Sequence, residues 1–289
     1  MDGIILINKD KDYTSRDVVN IIGKHLKTKK VGHTGTLDPL ATGVLAICVG
    51  KATKIVELLT NHDKEYIAEV TLGVSTDTLD ITGIITKEEA CFKTEEEIKN
   101  ILSTMVGTYE QEVPIYSAVK IRGKKLYEYA RNNEEVELPK RLVDIKELSL
   151  ISDIKYDDNK VKFKIKCLVS KGTYIRSLIR DIATNLNTIG LMSSLTRTKL
   201  GDFNIEECVN IEEFINNKYE LKSIVGVLNN YKLITANKEL EDELNNGKII
   251  DNMYESSEVL FVNENNEPIA LYKTYDKDNQ KIKPWKMFI

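Results

Sequence analysis

The chain has 289 residues, of which 42% are hydrophobic and 30% charged, and its formal net charge is −4. That length can bury a sizeable core, and the balance is ordinary for a globular protein, which excludes fibrous and disordered classes. No apolar run approaches the ~20 residues that cross a bilayer, and neither paired cysteines nor ligand-spaced histidines suggest a disulfide framework or a metal site.

The run GIILI (3–7) reads as a buried first strand, because Asn8 and Lys9 cut it too soon for a signal-peptide core. The expected location is therefore the cytoplasm. Thr14 and Ser15 offer a helix N-cap, with Val18, Val19, Ile22 and Leu26 on one helical face. Residues 27–39 have no periodicity and hold two glycines, so a loop is expected there. Residues 43–49 form a continuous apolar run suited to a central strand, and Tyr66, Ala68, Val70 and Leu72 alternate along a half-buried one. Thr94 with Glu97 is a capping box, and Ile98, Ile101, Leu102 and Met105 come after it at helical spacing. A second helix is expected near 124–131, a period-two strand at 161–169 and a further helix at 177–186. Strands and helices mix without a strict βαβ rhythm, which favours an α+β fold.

Composition shifts near residues 229–232. This divides the chain into a main domain, 1–230, and a small appended one, 231–289. The second shows a short helix signal, a strand pair around 263–268 and a basic end, KIKPWKMFI.

The net charge is acidic, yet residues 1–60 carry nine Lys/Arg against six Asp/Glu. Basic runs at 24–30, 120–125, 171–180 and 197–199 together suit a composite face for RNA. The most unusual segment is GHTGTLDPLATG, residues 32–43. A phosphate-binding Walker loop would need glycine where Leu45 stands, ahead of Gly50-Lys51. An Asp-x-Asp phosphoryl-transfer site would need a second carboxylate in place of Leu40. On its own the segment reads first as a Gly/Thr-rich turn in which Asp38 caps the following stretch of chain.

GHTGTLDPLATGVL resembles the catalytic motif of the TruB-type tRNA pseudouridine synthases. Further family-like segments appear in order: KEY (64–66), LGVSTDTLDITG (72–83), VPIYSAVKIRGKKLYEYAR (113–131), RLVDI (141–145), SKGTYIRSLIRDIA (170–183) and SSLTRTKLGDF (193–203). Asp10 and Asp12 depart from the family, which usually has proline and glycine there, and Ile115 stands where a second proline is common. The departures near the start bear on the shape of the loop after the first strand, not on the chemistry.

The resemblance implies a pseudouridine-synthase fold, with a mixed, largely antiparallel sheet and a small C-terminal domain like the PUA module. It implies that Asp38 is the catalytic carboxylate, that Arg176 pairs with it, and that Tyr66 stacks on a flipped uracil and handles the C5 proton. Tyr174 and Leu195 would enclose the base, His33 would fill the space it leaves in the RNA, and Lys9 and Asp80 would lie near the RNA site. The implied substrate is uridine 55 in the T-loop of tRNA. By the same resemblance Lys281, Lys283, Lys286 and Trp285 would face the acceptor side. No cofactor, metal or protein partner is expected, and the chain is expected to act as a monomer. Two other readings are a guide-RNA-dependent dyskerin-type synthase and a non-catalytic tRNA-binding or folding protein. The block at 118–131 counts against the first, and the joint presence of Asp38, Tyr66 and Arg176 against the second.

Overall fold

The computed structural model describes residues 1–289. Its main sheet is built on β1 (Gly3–Lys9), β2 (Val31–His33), β3 (Thr42–Val49), β4 (Lys64–Leu72), β5 (Gly107–Glu112), β6 (Lys140–Leu150), β7 (Lys160–Val169) and β8 (Gly190–Leu200). The spatial order is β1-β3-β8-β4-β7-β6-β5, with β2 beside β3. Every pairing is antiparallel except a short parallel junction of β3 with β8. Three helices matter for the site and core: α1 (Ser15–His25), α2 (Glu95–Thr104) and α3 (Ile175–Asn185).

Local rules account for the helix starts. Thr14 and Asp17 close a reciprocal capping box on α1, and Thr94 and Glu97 do the same on α2. Such caps are worth ~1 kcal/mol each, and the apolar faces behind them supply the rest of the helices' stability. Residues 27–39 are not wholly loop: Val31–His33 pair with Ile47–Val49 as β2. Three residues are too few for a periodic signal.

The apolar runs of β1 and β3 are buried on both faces, as strands covered on two sides must be. Ile5, Ile7, Leu45, Ile47 and Val49 join the main core with α1 and α3. The alternate residues Ile4, Leu6, Val44, Ala46 and Cys48 face the opposite way. There they meet Leu260, Val262, Leu271 and Phe288 of a second, five-stranded sheet.

That second sheet begins at Lys232, and its longest strands are Pro268–Tyr275 and Asp278–Met287. The basic end is thus not a free tail but a strand. Its charges interrupt the apolar pattern by which strands are recognised. Trp285 packs on the shared core, Lys286 Nζ lies 2.9 Å from Glu57 Oε2, and Lys283 pairs with Asp276. These side chains have protein partners where the sequence suggested RNA contacts.

Candidate active site

Four strands, β3, β8, β4 and β7, bring the site together at one end of the sheet. The segment 34–41 enters β3, and its carboxylate residue Asp38 reaches the rim of a cavity of about 860 Å³. Two elements hold this segment from below. Ser15 Oγ, at the start of α1, accepts from the Leu37 N–H at 2.9 Å and is buried. The Pro39 carbonyl accepts from the Asp12 N–H at 2.8 Å. Asp12 has φ 72, so the position usually filled by glycine in the resembling family keeps a left-handed backbone here with aspartate.

Asp38 is held from the side by Arg176. The guanidinium donates from Nε to Oδ2 at 2.9 Å and from Nη2 to Oδ1 at 3.3 Å, a forked charge-assisted pair. Two further donors go to the carbonyls of Thr78, at 2.9 Å, and Tyr116, at 3.0 Å. Arg176 is buried while the Asp38 side chain is 37% exposed. The arginine is therefore fixed by protein and the carboxylate is left open to a ligand.

Asp80 lies 3.9 Å from Arg176 Nε and is buried. Its carboxylate accepts from Thr78 Oγ1, Thr82 N and Thr82 Oγ1 at 2.5–2.9 Å, so it shapes the turn whose Thr78 carbonyl grips Arg176. That placement makes it a support for Arg176 and not a surface contact.

Tyr66 on β4 is buried and lines the cavity with Tyr174 and Leu195. Burial pushes its phenol up, and the Arg197 guanidinium, on the residue paired with it, offsets only part of that rise. Tyr174 stands at the N-cap of α3, where its N–H donates to Gln111 Oε1 at 2.8 Å. Asp38, Tyr66, Tyr174, Arg176 and Leu195 are thus one constellation around one cavity.

Two predicted residues are placed elsewhere. Lys9 is fully buried, and its Nζ donates to the carbonyls of Asp10, Tyr13 and Pro39 at 2.9, 2.7 and 3.4 Å. It clamps the loops beneath Asp38 and presents nothing to a substrate. His33 lies on β2, outside the cavity lining, with a buried Nδ1 that has no hydrogen-bond partner.

The sequence reading passed over Ser15, Lys64, Gln111 and Arg197. Lys64 is buried, donates to the carbonyls of Thr60 and His62, and is pushed down to about 8 by burial. For Arg197 a signal existed: it falls in phase with Leu195 on the buried side of an alternating strand. Exposed Arg141 and Lys171 stand at the cavity mouth and are free of ion pairs, in a position suited to phosphates.

The chain is similar to known proteins along its full length. A family described as "TruB family pseudouridylate synthase (N terminal domain)" matches residues 23–175. A "tRNA pseudouridine synthase B" of Oceanobacillus iheyensis is 43% identical, covering 100% of this chain and 98% of the relative. One of the same name from Caldanaerobacter subterraneus is 41% identical over 100% and 99%. Among solved structures, a chain of "Crystal Structure of a Cbf5-Nop10-Gar1 Complex" superposes with TM-score 0.72 at 22% identity, covering 99% of this chain and 85% of that one. That likeness is one of fold.

Proposed function

The chain belongs to the TruB family of pseudouridylate synthases and is a tRNA pseudouridine synthase; we propose that it acts on uridine 55 of the T-loop, with Asp38 as the catalytic carboxylate. The observation that carries this is the open Asp38 carboxylate, forked by a buried Arg176, at the rim of a cavity walled by Tyr66, Tyr174 and Leu195.

The uridine must leave its stack before any side chain can reach it, at a cost of a few kcal/mol. Stacking on an aromatic returns ~1–3 kcal/mol per base, and Tyr66 with Leu195 of the neighbouring strand gives the base an apolar wall. Arg176 aims the Asp38 carboxylate through its forked hydrogen bonds, so that the carboxylate acts as the nucleophile. The carboxylate bonds to the nucleotide, the N1–C1′ bond breaks, the uracil turns in the cavity, C5 bonds to C1′, and the bond to Asp38 breaks so that the carboxylate is restored. The hydrogen on C5 then leaves as a proton, taken by the Tyr66 oxygen once its own proton has passed to solvent, while N1 gains one from water. The reaction is a redox-neutral rearrangement, so its atoms balance without a co-reactant.

Support for tRNA as substrate comes from relatives of that name along the full chain. The same reading places the enzyme in the cytoplasm, where tRNA is found, as a monomer without a protein partner. The test is to map pseudouridine in an unmodified tRNA transcript incubated with the purified protein alone. Modification at position 55 is expected; a need for a guide RNA or added protein, or a different position, would sink the proposal.

A further inference from the structure

We infer that Arg197 is a positioning residue for this reaction: buried behind Tyr66, it ties the Asp38 segment to the sheet and sets a cation beside the hydroxyl that receives the C5 proton. The inference rests on the proton role given to Tyr66 above.

Arg197 is fully buried and makes no ion pair, although three other cations, Arg176, Lys9 and Lys64, are buried in the same region. A buried guanidinium without a carboxylate is costly, and a structure keeps one only where other groups use its charge. Its Nε donates to the Val44 carbonyl at 2.7 Å and its Nη2 to the Gly35 carbonyl at 3.3 Å. Both acceptors flank Asp38, one on each side of the segment that carries it. The guanidinium therefore braces that segment from within.

The backbone around Arg197 is built for this placement. Arg197 sits directly opposite Tyr66 on β4, and the pairing slips by one residue between Arg197 and Lys199. Such a bulge re-aims a side chain, here inward. On the other side Arg197 pairs with Gly43, which comes so close that no side chain fits between them.

Chemistry supplies the reason. To take the C5 proton, the Tyr66 oxygen first gives up its own proton to solvent and carries negative charge until C5 releases its hydrogen. Charged and titratable groups surround Tyr66 on each neighbouring element: Arg197 is its pairing partner on β8 and Cys167 its partner on β7, while Asp38 of the loop and Arg176 of α3 line the same cavity. Asp38 and Cys167 both oppose a negative phenol, and burial opposes it further. Arg197 is the cation at the hydroxyl, and neighbouring Lys9 and Lys64 add to the positive field at Arg197 itself.

The experiment combines single-turnover pH–rate profiles on tRNA with 13C NMR of Cζ-labelled tyrosine, using wild type, Arg197→Gln, Arg197→Lys and Tyr66→Phe. The Tyr66 resonance is the one missing from Tyr66→Phe. Arg197→Gln is expected to lower the rate at neutral pH by about tenfold or more, with tRNA affinity changed less than about threefold. Its rate should keep rising with pH beyond the point where wild type levels off, and Tyr66 should titrate higher. Arg197→Lys should recover part of the rate, since it restores the charge but not the fork. Gln and Lys variants equally slow, with an unmoved Tyr66 titration and pH profile, would reduce Arg197 to a structural brace and overturn the inference. If Arg197→Gln does not fold, the unmutated protein decides. Tyr66, with its cation, should begin to titrate before buried Tyr109, which has Asp181 beside it; the reverse order overturns the inference. Tyr66→Phe separates this from the reading beneath it. If it is inactive, the Arg197 variants judge the inference alone; if it matches wild type, the proton role fails and the inference with it.

Discussion

Gly43 and Arg197 meet across the parallel junction of β3 and β8, where a Cβ on Gly43 would lie 2.2 Å from the Arg197 carbonyl oxygen. Gly43 also has φ 102, a conformation that other residues rarely adopt. The last glycine of the GHTGTLDPLATG segment is thus the point at which the Asp38 loop can join the sheet beside Arg197.

Gly43→Ala should therefore fail through collision as well as backbone strain. Strain alone costs on the order of 1–3 kcal/mol, and a backbone clash that cannot relax should bring the loss above about 4 kcal/mol. Gly107→Ala is the matched control, with φ 115 but nothing within 4 Å of an added Cβ. Urea denaturation of the two variants should show the larger loss at Gly43. Equal losses would mean that the junction opens easily.

Asp38→Asn keeps the shape of the side chain and part of its hydrogen bonding to Arg176, but removes the nucleophile. Turnover should vanish while tRNA affinity changes by less than about tenfold, ~1.4 kcal/mol. Single-turnover activity clearly above that of a mock preparation would reject Asp38 as the catalytic group.

Much of this site was legible in the sequence because its residues sit in motifs whose order is specific. Asp38, Tyr66, Tyr174, Arg176 and Leu195 all fall in those motifs, and they share one cavity. What was not legible is which way a charged residue points. Lys9 looks like a surface cation in a linear chain, and only the packing around β1 turns it inward; Arg197 looks the same by residue type, although its phase with Leu195 marks the buried side of β8. The bulge after Arg197 and the three-residue β2 leave no periodic trace. The strand Asp278–Met287 was missed for a related reason: its lysines leave no apolar alternation, and pairing with a neighbour on each side sustains it instead.

The inward lysines predict a pH effect on stability. Burial pushes Lys9 down to about 8, against attraction from Asp10 and Asp38, and Lys64 also falls to about 8. Above about 8 the unfolded chain, with lysines near 10.5, holds more protons than the folded one, so stability rises with pH there. The thiols of Cys48, Cys167 and Cys208, pushed up to about 12 by burial, act oppositely from about 9 upward. Between pH 8 and 9 the lysines should dominate. Urea midpoints at pH 7.5, 8.5 and 9 should climb in wild type and climb less in Lys9→Met. Parallel curves would show that Lys9 titrates normally.

Binding of tRNA should be strongly salt-dependent despite the net charge of −4. Arg141 and Lys171 are exposed at the cavity mouth, where they can meet phosphates on either side of a flipped base. Each phosphate neutralised contributes roughly −0.9 (duplex) or −0.7 (single strand) to the slope of log affinity against log salt. Arg141→Ala should therefore make the slope shallower by about one unit and weaken all tRNAs alike. A slope near zero in wild type would remove the basic face.

Removing residues 232–289 is expected to damage the catalytic fold itself, although every proposed chemical residue lies before residue 200. Leu260, Val262, Leu271 and Phe288 are buried against Ile4, Leu6, Val44, Ala46 and Cys48, on the rear face of β1 and of β3, the strand that the Asp38 segment enters. Leaving a side chain of this kind exposed forfeits ~1.5–3 kcal/mol each. Several together rival the whole 5–15 kcal/mol by which a typical protein is stable. The lost contact of Lys286 with Glu57, a surface pair, adds little by comparison. A chain ending at Tyr231 should therefore melt far below wild type or aggregate. It should lose activity on an isolated T-arm hairpin as much as on full tRNA. Phe288→Ala is the milder test: it should cost ~3–5 kcal/mol of stability and leave the rate of the folded enzyme unchanged. A truncated chain with wild-type stability, slow only on full tRNA, would show instead that the second sheet serves RNA binding and that the shared core is dispensable.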